Sequence, residues 1–155
     1  MKVTIRPLLE QDAYISVKWR NDPEVFKYTG NTYKNEITLE TELNWIRKVI
    51  TNKNEYRCAI LADDIYVGNI YLTDITSEFA QYHIFIGNKD YWGKGVAKKA
   101  SELILNHAFN KLNLSFVFLR VKKQNVAAVH LYKKLGFVEK KEDGDWIDMI
   151  ASLKV

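Results

Sequence analysis

Tyr91-Trp92-Gly93-Lys94-Gly95-Val96-Ala97 follows a run of aromatic and β-branched residues, Phe79 to Ile86, and precedes a segment with helical spacing. Ala97, Ala100, Ile104 and Ala108 recur three or four residues apart, one face of a helix. Phe79 to Ile86 is apolar on both of its alternating faces, Tyr82, Ile84 and Ile86 against His83 and Phe85, as a central strand covered on both sides would be. The quoted stretch is therefore a strand-to-helix turn. Glycines there let the chain bend tightly and bring an anion close to the backbone. The first amides of the helix lack intrahelical partners and carry the positive end of its dipole, so the turn has the makings of a phosphate cradle.

Spacing narrows the kind of phosphate. A Walker loop needs Gly-x-x-x-x-Gly-Lys-Ser/Thr, which is absent. A dinucleotide fingerprint needs a third glycine where Lys98 stands.

Outward from the turn, the patterns predict a short strand over Val3 to Arg6 and a helix from Gln11 to Arg20 that Asn21-Asp22-Pro23 ends. A polar, irregular loop is expected around Tyr28 to Glu36. A second helix is capped by Thr38, with Leu39, Leu43, Ile46 and Ile50 on one face. Strands follow over Tyr56 to Leu61 and Ile65 to Leu72, joined by a tight turn at Ala62-Asp63-Asp64. After the glycine turn and its helix come a strand over Leu114 to Val121 and a helix over Val126 to Leu135 with Gly136 as its C-terminal cap. Strands near Phe137 to Lys140 and Trp146 to Leu153 close the chain around a turn at Asp143-Gly144. The resulting order, β-α-α-β-β-β-α-β-α-β-β, describes a mixed α/β sheet with helices on both faces.

With 155 residues, 47% of them hydrophobic, and no internal repeat or linker, one domain over residues 1–155 is expected. A charged, proline-broken N-terminus and the lack of a long apolar run argue against a signal peptide or a membrane span. The single cysteine, Cys58, fits a reducing, cytoplasmic setting and reads as a buried structural thiol. The net charge of +4 comes from scattered lysines and arginines, so a solvated basic surface is favoured over nucleic-acid binding. No grouping of His107, His130 and carboxylates has metal-ligand spacing.

The turn in its β-β-β context, joined to Asn125-Val126-Ala127-Ala128-Val129-His130-Leu131-Tyr132-Lys133-Lys134-Leu135-Gly136-Phe137 downstream, resembles the GNAT superfamily of acetyltransferases. The family's pyrophosphate loop reads Gln/Arg-x-x-Gly-x-Gly/Ala; Gly95 and Ala97 match its last two places, and Trp92 stands where Gln or Arg is usual. The Tyr-Trp-Gly-Lys-Gly form is similar to the branch named after the ribosomal-protein acetyltransferases RimJ and RimL.

This resemblance implies a mostly antiparallel sheet of about seven strands and an N-acetyltransferase using acetyl-CoA as co-substrate, with no metal. It implies that main-chain groups of Ile84, Phe85 and Ile86 take the pantetheine arm like an added strand. Trp92, Gly93, Lys94, Gly95, Val96 and Ala97 would hold the pyrophosphate, and Asn125, a natural N-cap, would also contact CoA. Tyr132 becomes the general acid, since a phenol of pKa ~10 stays protonated at neutral pH. Where the branch often has a Glu on the third strand, this chain has Tyr82, a poor base expected to shape the pocket or order a water. His83 faces the other way and reads as structural, and Glu78 is a further candidate near the strand start.

Trp19-Arg20-Asn21-Asp22-Pro23 is similar to GNAT enzymes that acetylate nucleotide-linked amino sugars, making that class the first acceptor expected and Trp19, Arg20 and Asn21 its contacts. A role for Trp19 as a helix anchor and Arg20 as a helix-end cap fits the same residues. Protein N-termini and other small amines remain open as acceptors, the net positive charge weighing against polyamines. A non-catalytic acyl-CoA sensor also remains open, as do a monomer and a homodimer.

Overall fold

The computed structural model describes residues 1–25 and 35–152. Its elements are β1 (Val3–Pro7), α1 (Ala13–Arg20), α2 (Leu39–Ile50), β2 (Tyr56–Ala62), β3 (Ile65–Thr73), β4 (Phe79–Ile86), α3 (Val96–Asn110), β5 (Phe116–Lys122), α4 (Val126–Lys134), β6 (Val138–Asp143) and β7 (Trp146–Ser152). The strands form one seven-stranded sheet in the order β1-β2-β3-β4-β5-β7-β6. Among the described strands, β4 and β5 pair in parallel and the other neighbours are antiparallel. This is the mixed, mostly antiparallel sheet expected from the sequence.

Alternation along β4 divides the molecule into two cores. On one face Tyr82 joins Val96, Ala100 and Ile104 of α3 and Tyr132 of α4, together with Ile70 and Leu72 of β3. On the other, Phe85 joins Trp19 of α1, Ile46 of α2, and Ala59 and Tyr66 of the sheet. Each fully covered Ile or Leu contributes about 1.5–3 kcal/mol of transfer free energy, so both faces of β4 anchor it firmly. Gly87 ends that strand against the α1 core: a Cβ built there would lie 1.9 Å from the Trp19 ring, which only glycine avoids.

Some boundaries differ from the sequence reading for identifiable reasons. The first helix begins with a 3-10 turn over Glu10–Asp12, and α1 proper starts at Ala13. The Asp12 carboxylate accepts from the Leu9 amide at 2.8 Å and from the Arg6 guanidinium at 2.8 Å, which tightens that turn. Thr38 caps α2 as expected, accepting from the Thr41 amide at 3.1 Å. Ile50, expected on the buried face of α2, is exposed, and Val49 is buried instead. The closing hairpin turns at Gly144-Asp145, because Asp143 already pairs with Trp146. The loop expected around Tyr28 to Glu36 falls largely outside the described residues, as does Leu153.

Among the described residues, no helix is long and apolar enough to cross a membrane.

Candidate active site

The sheet opens at its centre. β4 and β5 pair only from Phe79 opposite Phe116 to Gln81 opposite Phe118. β4 then continues along β3 as far as Ile86 opposite Gly68, while β5 continues along β7 to Lys122 opposite Trp146. The two halves thus splay beyond Gln81. The Gly87 amide donates to the Val67 carbonyl at 2.8 Å. Counting back by twos turns the main-chain groups of Phe85 and His83 toward β3, and those of Ile84 and Ile86 toward the gap. Ile84 and Ile86 accordingly offer a strand edge, whereas Phe85, expected to share that role, pairs with Asn69 and packs its ring on Trp19. The Ile86 carbonyl accepts from the Trp92 indole at 2.8 Å, so Trp92 reaches back over this edge.

A cleft of about 1350 Å³ occupies the opening. One wall is the glycine turn: Trp92, Gly93, Gly95, Val96 and Ala97 line it, with Lys98 beside them. Gly93 and Gly95 have φ of +72° and +81°, a left-handed conformation that costs other residues about 1–2 kcal/mol. Gly95 is the N-cap of α3 and supplies no side-chain acceptor. Among the described residues no side chain caps the first amides of that helix, which are thus open to a ligand. Lys94 lies over the Tyr91 ring at 5.8 Å, and Lys99 donates to the Met1 carbonyl at 3.2 Å. Across the cleft, Asn125 caps α4 by accepting from the Ala128 amide at 3.3 Å. An elongated ligand with a phosphate at one end and amide groups along its length fits these donors.

Tyr132 lines the same cleft from α4 and is only 8% exposed. Burial pushes its phenol above the ordinary value of 10, so it stays protonated throughout the neutral range. Its hydroxyl has no hydrogen-bond partner among the described residues. Tyr82 is arranged differently. Its ring meets that of Tyr132 edge-on, centroids 5.6 Å apart, while its hydroxyl lies 2.5 Å from Ser101 Oγ under α3. Burial raises its pKa well above 10, which removes any capacity to act as a base.

The α1–α2 side of the cleft is made by side chains. Register across three strands places Arg57 opposite Tyr71 and Tyr71 opposite His83. The Tyr71 and His83 rings stack with centroids 4.7 Å apart, and the Arg57 guanidinium lies 4.0 Å from the Tyr71 ring centre. His83 Nε2 is 2.9 Å from Thr73 Oγ1. Burial, reinforced by Arg57 and opposed by Asp74, lowers the imidazole from 6.5 to about 4. His83 is therefore neutral at pH 7 and too weak a base to deprotonate an ammonium.

Arg20 lines the cleft, pairs with the buried Glu42 at 3.3 Å and lies 4.2 Å from the Trp45 ring centre. Trp19 and Asn21, expected beside it as acceptor contacts, do other things. Trp19 is buried against Tyr66 and Phe85, and Asn21 clamps the chain by bonding the Val17 carbonyl and both main-chain groups of Ile37. Glu55 is held by Arg57 at 2.7 Å, and Arg120 by Asp143 at 2.7 Å and Asp148 at 3.2 Å. Asp74, in the left-handed region at φ +51°, lines the cleft with no ion-pair partner among the described residues. Sequence reasoning missed Arg57, Tyr71 and Asp74. The alternation signal was present, and aligning β2, β3 and β4 in register would have put Arg57, Tyr71 and His83 in one row.

Known proteins resemble this chain over most of its length. Spermidine N(1)-acetyltransferase of Escherichia coli K12 is 31% identical over 138 residues, covering 87% of this chain and 72% of that protein. Acetyltransferase PseH of Campylobacter jejuni is 24% identical over 139 residues, covering 90% and 85%. The crystal structure of spermidine N-acetyltransferase from Vibrio cholerae in complex with CoA and spermine superposes with a TM-score of 0.87 at 26% identity, covering 97% of this chain and 95% of that one. The family model for the acetyltransferase (GNAT) domain matches residues 2–138, and with the splayed sheet, glycine turn and tyrosine-bearing helix in place, the chain belongs to the GNAT acetyltransferase family.

Proposed function

We propose that this GNAT N-acetyltransferase acetylates a primary amine of a small, cationic, polyamine-like acceptor. The reading is carried by one cleft in which the gap edge of β4, the uncapped start of α3 and Tyr132 converge. Bound acetyl-CoA supplies an activated acetyl thioester. The chain's own residues then have distinct tasks. Amides at the start of α3 hold the pyrophosphate, and the Ile84 and Ile86 main chain orients the arm. Tyr132 holds a proton at its phenolic oxygen, facing the place where a thiolate leaves. Neither Tyr82 nor His83 takes the amine's proton, so the acceptor's nitrogen is neutralised through solvent at the open side of the cleft.

The acceptor class is supported by Asp74. Of the cleft-lining carboxylates Glu24, Glu55 and Asp74, it is the one without an arginine or lysine in ion-pair reach among the described residues, and a second ammonium of the acceptor would pair with it. The similarity to two spermidine acetyltransferases points the same way. The nucleotide-linked amino sugar expected from Trp19 to Pro23 loses support, because Trp19 and Asn21 are engaged in packing and Arg57 and Arg120 are already ion-paired. Arg20 over Trp45 keeps it as a second reading, since a guanidinium on an aromatic face suits a phosphate-bearing sugar.

Release of free thiol from acetyl-CoA against spermidine, spermine, UDP- and dTDP-amino sugars and peptide N-termini tests both. A polyamine is expected to give the highest kcat/KM. Preference for a nucleotide sugar overturns the acceptor, and tight CoA binding without thiol release for any amine favours a sensor.

A further inference from the structure

Tyr82 occupies the β4 position at which a catalytic group was expected and lines the cleft, yet its hydroxyl is engaged by Ser101 under α3. It is 3% exposed and sits in the α3–α4 core. Ser101 Oγ donates to the Ala97 carbonyl at 2.6 Å. Its single proton being used there, Tyr82 must be the donor in the 2.5 Å contact with Ser101 Oγ. The chain Tyr82, Ser101, Ala97 thus ends on a peptide group in the first turn of α3. At its other end the Tyr82 ring touches Tyr132 edge-on at 5.6 Å and Phe137 at 5.6 Å. One rigid side chain therefore bears on both walls of the cleft, the wall that would hold the pyrophosphate and the wall that carries the proton donor.

We infer that Tyr82 is a positioning residue that fixes the first turn of α3, and with it the phosphate-binding amides, at a set distance from Tyr132. This inference rests on the reading of the cleft as an acetyl-CoA site and deepens it. The physical case is one of order. A helix start whose amides are kept unpaired for a ligand is held through fewer groups: here the Lys99 amide donates to the Gly95 carbonyl at 3.3 Å and Val96 is buried in the core. Gly93 and Gly95 immediately before it lower the local stiffness further. A buried hydrogen-bond chain adds a constraint from the sheet side, and in a low-dielectric interior its geometry is stringent. An apolar residue at position 82 would fill the core equally well but would remove this constraint on the turn.

CoA binding by calorimetry, steady-state kinetics and thermal unfolding, measured on the wild type, Tyr82→Phe, Ser101→Ala, the double variant and Ile104→Val, tests this. Tyr82→Phe is expected to weaken CoA binding and raise KM for acetyl-CoA about five- to tenfold, leaving kcat at saturation within about twofold. Ser101→Ala should do the same, and the double variant should be little worse than either, because both cut one link. Ile104→Val, a buried change about two turns along the same helix, should lower Tm without moving the affinity. Unchanged CoA affinity in Tyr82→Phe overturns the inference, and so does an equal loss in Ile104→Val, which would mean that stability alone is at work. A kcat loss of tenfold or more in Tyr82→Phe, with an altered pH profile, would return Tyr82 to a catalytic role. Failure of the wild type to bind CoA at all would instead overturn the reading of the cleft itself.

Discussion

The two sides of the cleft are built on different principles. The α3–α4 side presents main chain, the gap-facing edge of Ile84 and Ile86 and the uncapped amides after Gly95, with the Tyr132 phenol beside them. The α1–α2 side presents side chains, most of them already paired with one another: Arg57 with Glu55, Arg20 with Glu42, Tyr71 with His83. Main chain tolerates almost any side-chain change provided the backbone path is kept, so a surface made of it serves an invariant ligand. Paired side chains can be exchanged one at a time, which suits the variable partner of a reaction. Substitutions on the first side should therefore act on turnover or CoA, and those on the second on the acceptor or on stability.

The largest effect that separates the sides is expected at Tyr132. Tyr132→Phe removes the proposed proton donor and keeps the ring that packs on Tyr82 and Phe137. Turnover should fall about 100-fold or more, the usual scale for a general acid, with CoA affinity within about twofold. Kinetics with titration of CoA checks this, and a kcat within threefold of wild type would take the acid role from Tyr132.

His83 offers a test on the other side by pH. Its folded value of about 4 lies below the ordinary 6.5, so between these pH values the unfolded chain binds the proton and the folded chain does not. Stability contributed by the neutral imidazole is complete above pH 6.5 and declines as pH falls toward 4. The loss is on the order of 2 kcal/mol at pH 5. Urea unfolding at pH 7.5 and 5.0 should show that difference in the wild type and a smaller one in His83→Gln. Equal slopes in both proteins would mean that the ring is hydrated, not buried among Tyr71, Arg57 and Thr73.

Legibility from sequence follows the same division. Glycines before a helix leave a direct trace because few residues accept φ near +80°, and the capping residues Thr38 and Asn125 are equally local signals. The central place of β4 was within reach too, since both faces of Phe79 to Ile86 are largely apolar, as suits a strand covered on both sides. The acceptor side left no such trace. Trp19 and Arg20 are neighbours in sequence, yet one turns into the core under Gly87 and the other lines the cleft. Arg57, Tyr71 and His83 become a row only after three strands are set in register, and register is tertiary information. Tyr82 was legible only in part for a related reason: sequence position gave its place on β4, but Ser101, nineteen residues later, decides where its hydroxyl goes.

Gly95→Val sharpens the contrast at lower amplitude. A β-branched residue at φ +81° is strained by about 1–2 kcal/mol, although a Cβ there meets no neighbour within 4 Å. Strain without a clash should be relieved by shifting the turn, so CoA affinity should fall about tenfold while KM for the acceptor stays put. A crystal structure with the turn unmoved, together with unaltered CoA affinity, would show that the amides after Gly95 do not hold the phosphate.

The smallest effect expected is also the most informative about the acceptor. Asp74→Asn removes a charge and little else: asparagine is nearly isosteric and accepts the left-handed conformation at φ +51° as readily as aspartate. If a second ammonium of the acceptor pairs with Asp74 at this open end of the cleft, the contact is partly hydrated and is worth about 1 kcal/mol. KM for spermidine should therefore rise about fivefold, with kcat and KM for acetyl-CoA unchanged. A monoamine has no second charge to place there, so its kinetics should not respond to the substitution. Added salt should erode the wild type's preference for spermidine and leave that of Asp74→Asn nearly flat, because screening acts on the charge pair alone. A monoamine losing as much as spermidine would make Asp74 a structural residue of the β3–β4 turn. A variant that improves turnover of a nucleotide-linked amino sugar would show the carboxylate repelling a diphosphate, and would transfer the acceptor assignment to that class.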